Sequence, residues 1–351
     1  MSIYIFALVL LFLGAFVSKK EKTGFGYIAI LFLFFIAFFR AESVGIDTYN
    51  YSHYDDYKPH GVKLFEVVFL FVYKLIPVLG SRIVIHFFAI ITFLFTFLAC
   101  KRFKVNPTLA FFFFVLFDFY NLSLNISRQY TAAAILLYAY SYLPEEDGKK
   151  WRFFLYVILA GTIHVTSLLF GVLFLFRKIN LSRISTSTIL IVLLISVFFV
   201  EVVLSQFYVE WAQKALLAEE VSSYGDYFAQ VETLDKASFG GRILSLGATA
   251  LNVYILIRVA RMKIPGASTI AMLLFFSILF NLFFEQFYGN LGRIRYDISI
   301  INIIAYSYYI KYEKSKIKPW VIITILVFFG YSYLWDLQSG SYGTVPYSFS
   351  L

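Results

Sequence analysis

The chain has 351 residues, 60% of them hydrophobic and only 15% charged, with 43 Phe and 27 Tyr. Lys and Arg number 30 against 21 Asp and Glu, a net charge of +9. Soluble domains carry about 25% charged residues, so this composition excludes a soluble enzyme and a disordered chain and reads as a multi-pass membrane protein. The basic balance fits loops that collect Lys and Arg on the cytoplasmic side, not a nucleic-acid surface. The single cysteine, Cys100, permits neither an intrachain disulfide nor a cysteine metal cluster.

In chain order, the first apolar run has no basic residue before it and two lysines just after it. That predicts an uncleaved first helix with its N-terminus outside. Candidate spans are Ser2–Val17, Gly24–Phe39, Arg82–Ala99, Asn106–Leu122, Ser127–Leu143, Phe153–Phe176, Thr186–Leu204, Arg242–Ile257, Ala267–Phe287, Ile294–Ile310 and Pro319–Trp335. A bilayer core of about 30 Å needs about 20 residues, so several runs span only with their flanks. Phe153–Phe176 is too long for one ordinary span and carries His164 near its middle, which predicts a helical hairpin or a broken helix. The expected fold is therefore all-α and polytopic, with about 11–12 transmembrane helices. Val62–Leu79 holds Lys63, Glu66, Lys74 and Pro77 and reads as re-entrant or interfacial, because a crossing would place the basic turn Cys100–Lys104 outside. The Phe111–Phe114 run reads as lipid-facing filler. No repeat or linker divides the chain, so residues 1–351 form one integral-membrane domain.

Six loops are expected in the cytoplasm: Lys19–Lys22, Lys101–Lys104, Glu145–Arg152, Arg177–Arg183, Arg258–Lys263 and Lys311–Lys318. They hold 19 of the 30 Lys and Arg but 5 of the 21 Asp and Glu. Residues 40–63, 205–241 and 288–296 are then external. The second of these contains YVEWAQKALLAEE, which suits an amphipathic helix on the membrane surface.

Five basic residues are unexplained by that distribution. Arg40, Arg128, Arg242, Arg293 and Arg295 all map to the outer ends of spans. Arginine beside a span is costly and tends to pair or to face a polar cavity, and its planar fork bonds phosphate oxygens in bidentate fashion. Five of them converging at headgroup level would hold a pyrophosphate; the blander alternative is that each snorkels to the interface. In Phe38–Tyr57, Gly45 permits a tight turn that would bring Asp47 back toward an arginine or a sugar hydroxyl. Tyr49, Tyr51, Tyr54, Tyr57 and the later Tyr296 suit sugar stacking or an interfacial aromatic belt. His164 and Asp47 are both candidate bases for an acceptor hydroxyl, with Glu66 and Glu285 as supporting acids. Asp55-Asp56 is not an Asp-x-Asp motif, and Glu145-Glu146-Asp147 falls on the expected cytoplasmic side. Neither a metal site nor a cofactor is expected.

These features resemble the EpsG-like branch of Wzy-type polysaccharide polymerases. The matching residues are Phe39-Arg40, then Val44-Gly45-Ile46-Asp47-Thr48-Tyr49-Asn50-Tyr51, Glu66, Ser127-Arg128-Gln129, His164-Val165-Thr166-Ser167, Gly292-Arg293 with Arg295-Tyr296, and Pro346-Tyr347 in the tail. Arg242 matches less closely, and Gly45-Ile46-Asp47 departs from the usual Gly-Thr-Asp. The resemblance implies a GT-C-like glycosyltransferase of the bacterial inner membrane, its active site facing the periplasm or exterior. Such an enzyme moves a growing glycan from undecaprenyl pyrophosphate to the terminal sugar of a new lipid-linked repeat unit. Its implied partners are those lipid-linked oligosaccharides, membrane lipids, and a flippase and chain-length regulator of the same pathway, with no nucleic acid. The alternatives are a lipid-linked oligosaccharide flippase or transporter, an O-antigen ligase, and a non-catalytic scaffold.

Overall fold

The computed structural model describes residues 1–17, 24–52, 66–144, 149–199, 239–284 and 292–350, with backbone alone at 17, 52 and 239–243. The described residues fold as helices; the only strand-like pairing among them is an isolated antiparallel bridge between Arg40 and Phe349. The helices are α1 (Ser2–Phe12), α2 (Gly24–Phe38), α3 (Ile46–Ser52), α4 (Val67–Lys74), α5 (Ile76–Leu79), α6 (Arg82–Arg102), α7 (Pro107–Leu116), α8 (Phe119–Asn125) and α9 (Ser127–Tyr140). They continue with α10 (Trp151–Gly161), α11 (Leu173–Phe176), α12 (Thr186–Phe198), α13 (Phe239–Ala260), α14 (Ala267–Phe284), α15 (Tyr296–Ser299), α16 (Ile301–Tyr312) and α17 (Lys318–Ser339).

Three of these, α6, α14 and α17, are long and apolar enough to cross a bilayer, and the bent pair α7–α8 makes a fourth candidate. The other apolar helices are shorter over their fully described residues, α13 among them with 244–260. This follows from the sequence, which interrupts its apolar runs with polar residues. At Asp118 the backbone turns left-handed (φ 59°) and α8 leaves α7 at 70°. The run 153–176 breaks at Thr162–His164: α10 stops at Gly161, and a 3-10 helix, Val165–Val172, returns against it. Of the Val62–Leu79 segment, residues 67–79 form a kinked helix pair, about 20 Å long at 1.5 Å per residue, beside α6.

The core is built on α7, α9 and α16, which are apolar or small on nearly every side. A helix of that kind is stable only when surrounded. Pro107 opens α7, where its missing N–H costs nothing, and the Asn106 side chain accepts from Thr108 N at 2.9 Å. Here the expectation for Phe111–Phe114 fails: all four rings are buried, at 0–2% exposure. Helix α7 is ringed by α1, α2, α6, α16 and α17, so its phenylalanines fill the bundle interior. Phe111 stacks on Phe93 at 5.2 Å and Phe113 meets Tyr306 at 5.5 Å. The apolar surface is offered instead by α12 and α17, where Leu194 and Val327 are each 68% exposed.

The bundle has two chemically distinct ends. At one, the basic loops are tied together: Lys311 donates to Lys104 O, Arg102 to Ser141, and Arg261 to Ser182 O and Ile184 O. There Arg258 grips Glu313 with two bonds of 2.8 and 2.9 Å, which holds the Glu313 carboxyl down at about 2. Residues 19–22 and 145–148 of the basic loops lie outside the described residues. The opposite end carries Arg40, Arg128 and Arg293.

Candidate active site

Gly45 sets the geometry of the arginine-bearing end. Its φ is +95°, and a Cβ there would stand 2.5 Å from Leu124 O, so the chain turns at this point only with glycine. The turn lays the start of α3 on the α8–α9 junction. Thr48 donates to Leu124 O at 2.8 Å, and Asp47 N donates to Asn125 Oδ1 at 2.9 Å. The Asp47 carboxylate thereby reaches Arg293, with Nη1 to Oδ2 at 2.8 Å, and Gln129 holds the Arg293 carbonyl from below at 2.6 Å.

A second ion pair stands beside the first. Glu66, 1% exposed, precedes α4 and faces Arg128 at the start of α9, with Oε2 to Nη1 at 3.2 Å. Its other oxygen accepts from Val165 N at 3.1 Å and lies 3.5 Å from His164 Nδ1. The Arg128 guanidinium also lies over the Phe69 ring at 4.8 Å. The helix break at His164 is what allows this: with the backbone extended there (φ −146°), the His164 ring and the Val165 amide both face Glu66. Both arginines, Asp47 and Glu66 lie within electrostatic reach of Tyr51. Burial pushes the Tyr51 phenol up to about 12, so it is a neutral hydroxyl at physiological pH. Next to His164, Thr166 donates to the fully buried Asp297 at 3.1 Å.

The structure therefore joins Asp47, Tyr51, Glu66, Arg128, His164 and Arg293 in one cluster. It does not bring Arg40 or Arg295 there. Arg40 is 2% exposed and lies beneath, its guanidinium bonded to Ala37 O and to Ser127 Oγ on α9. The tail covers it. Ala41 N donates to Ser348 O, Ser350 N to Phe39 O, and Tyr347 OH to Ile36 O at 2.7 Å. Arg295 points away from Arg293, over Tyr296 and into a separate cavity, because residues two apart at a helix start take different directions. The Arg242 side chain, Glu285, Tyr54, Tyr57, Asp55-Asp56, residues 205–238 with the amphipathic segment, and residues 288–291 lie outside the described residues. Tyr49 is exposed on α3, and Tyr296 packs on Tyr130 at 5.8 Å. The described residues contain no group of three His, Cys, Asp or Glu placed to hold a metal ion.

Sequence reasoning missed Asp297 and the pair Asp118 and Asp336. Asp297 lies in the run RYDISIINII, and an acid inside so apolar a run was the available signal.

An all-α bundle of short, broken apolar helices with paired arginines at one end defines a multi-pass membrane protein with a polar site between its helices. The chain belongs to the EpsG family, which matches residues 24–349 and so nearly its whole length. The family is one of polysaccharide polymerases. No curated protein and no solved structure shows a significant match to the chain.

Proposed function

We propose that the protein is a glycosyltransferase that elongates a polysaccharide by moving a glycan from undecaprenyl pyrophosphate to the terminal sugar of a lipid-linked repeat unit. The observation that carries this reading is the cluster itself, two arginines and a histidine, each set against a carboxylate, within the span of the EpsG family. By the distribution of Lys and Arg among the loops, the cluster faces the exterior of the cytoplasmic membrane.

In the reaction, the bond between the donor's anomeric carbon and the pyrophosphate oxygen breaks. The electron pair leaves with the lipid pyrophosphate. An acceptor hydroxyl oxygen bonds the anomeric carbon, and its proton passes to a base. Arg128 and Arg293 are the groups that meet the developing phosphate charge. Each reaches its carboxylate through Nη1, and a guanidinium carries five N–H donors in all. At an effective dielectric near 20, unit charges about 4 Å apart interact by about 4 kcal/mol before desolvation costs. Fixed donors aimed at developing charge are often the main source of an enzyme's rate enhancement.

His164 is the base in this scheme. Its Nδ1 faces Glu66, which leaves Nε2 to take the proton, and Glu66 acts as a positioning residue. Asp47 orients Arg293, and the neutral Tyr51 hydroxyl can donate to a substrate oxygen. Arg40 supports the site from below through Ser127, whose neighbour in the chain is Arg128.

Deletion of the gene followed by glycan gel analysis tests the assignment. Loss of the polymerase leaves single repeat units exported and unextended. A deletion strain with no exported units at all points to a transporter and overturns the reading.

A further inference from the structure

A second polar cavity lies deeper in the bundle, on the far side of the Arg293–Tyr296 segment from the ion-pair cluster. Its volume is about 260 Å³, and it opens between the α7–α8 bend and helices α13, α14, α16 and α17. Twelve of its eighteen lining residues carry polar side chains, an unusual density between helices this apolar. Asp118, placed by the left-handed turn, and Asp336 from α17 bring their carboxyl groups together at this cavity. Arg295 enters from the side of the cluster, and Asn252, Asn281 and Asn302 converge from three other helices. Phe119, Tyr296 and Phe329 supply flat apolar faces.

That lining excludes most occupants. An acyl chain would leave the carboxyl, amide and hydroxyl groups of this wall without partners. A bare pyrophosphate would meet two carboxyls and one arginine. A metal ion would meet that arginine. What fits is a molecule that has many hydroxyls, no net charge and apolar ring faces. The volume is near the lower limit of small-molecule sites, about 300 Å³, and so suits a single ring.

We propose that this cavity is a subsite for an uncharged sugar ring of the lipid-linked glycan, its hydroxyls held by Asp118, Asp336, Arg295 and the asparagines and its ring faces by Phe119, Tyr296 and Phe329. This rests on the glycosyltransferase reading above. The shared wall explains the placement. Arg293 faces the ion-pair cluster while Arg295, two residues on, faces the cavity, so a sugar held here adjoins the leaving group. The ring belongs either to the acceptor's terminal unit or to the donor's chain.

The lone, buried Cys100 makes the test clean. In a Cys100→Ser background, Ser332→Cys places the only thiol in the cavity wall. The purified full-length variant is treated with a charged, water-soluble methanethiosulfonate reagent. The probes are the repeat-unit oligosaccharide, freed from its lipid by mild acid, and inorganic pyrophosphate. The expected result is that the thiol reacts, that the oligosaccharide slows the reaction saturably, and that pyrophosphate does not. Ala248→Phe, which fills the cavity, or Asp336→Asn should remove the protection. An unreactive thiol, no protection by the oligosaccharide, or equal protection by pyrophosphate overturns the proposal.

In turnover assays Asp336→Asn should raise one KM about tenfold, the loss of one hydrogen bond to a charged group, with kcat little changed. A rise in the acceptor's KM assigns the ring to the acceptor, and a rise in the donor's KM to the donor chain. If both constants stay unchanged the cavity is not a subsite. If the transferase reading itself fails, wild type and variants alike lack turnover, while the oligosaccharide still protects the Ser332→Cys thiol in the otherwise unaltered cavity.

Discussion

The pair Glu66–Arg128 offers the sharpest separation of structure from chemistry. Glu66 is 1% exposed and Arg128 16%, so each single removal leaves a largely buried charge without its counter-ion. Breaking such a pair costs about 3–5 kcal/mol. Glu66 keeps the Val165 N–H and the His164 contact, which places Arg128→Gln at the lower end, about 3 kcal/mol. Glu66→Gln costs a similar amount, because Arg128 then lies over Phe69 with no carboxylate in contact. In the double variant two neutral amides face each other, and about 2 kcal/mol of the combined loss should return as coupling. Thermal unfolding of the four purified proteins in one detergent measures this cycle. Elongation of a lipid-linked repeat unit measures the other half. Removing one donor aimed at developing charge costs about 10²–10³ in rate, and the double variant should recover stability but none of that rate. A double variant that regains elongation along with stability would show that Arg128 serves only to neutralise Glu66, and the proposed clamp would lose its principal member.

Three further outcomes follow from the geometry. His164→Gln should slow elongation by about 10²–10⁴-fold, the usual contribution of a general base, while leaving the unfolding temperature near wild type; normal polymer length in this variant would shift the base to Asp47. Gly45→Ala should destabilise the fold by more than about 1 kcal/mol, because φ is +95° and the new methyl meets Leu124 O; an unchanged melting curve would mean that the turn can relax. Glu313, held at about 2 by Arg258, is depressed below an ordinary glutamate of about 4.3. Its contribution is therefore present above about pH 4.3 and lost as pH falls toward 2. The difference in melting temperature between wild type and Glu313→Gln should be constant above about pH 5 and shrink below it, and a difference independent of pH down to about 2.5 would rule out this linkage.

Much of the architecture was legible in the chain itself. Composition and the spacing of apolar runs announce an all-helical membrane chain, and the break at His164 was visible as a run too long for one span. Gly45 and Asp47 stood out because a turn next to a span end needs a physical reason. Other features were hidden. Which way an arginine points depends on tertiary partners, so five similar positions at span ends looked equivalent, whereas Arg40 is a buried strut and Arg295 serves another cavity. Likewise a row of four phenylalanines reads the same whether lipid or protein surrounds it; only the helices around α7 decide. The cavity of Asp118 and Asp336 was hidden for a third reason: its acids stand far apart in the chain, and only the α7–α8 bend brings one to the other.

The most direct test of the central claim uses the purified protein in liposomes with a synthetic repeat unit linked to a lipid pyrophosphate. A polymerase gives products two or more repeat units long on one carrier, with one free lipid pyrophosphate released for each glycosidic bond formed, and that is the expected result. Substrate that changes leaflet without lengthening, or that persists unaltered with folded protein and both substrates present, would contradict it.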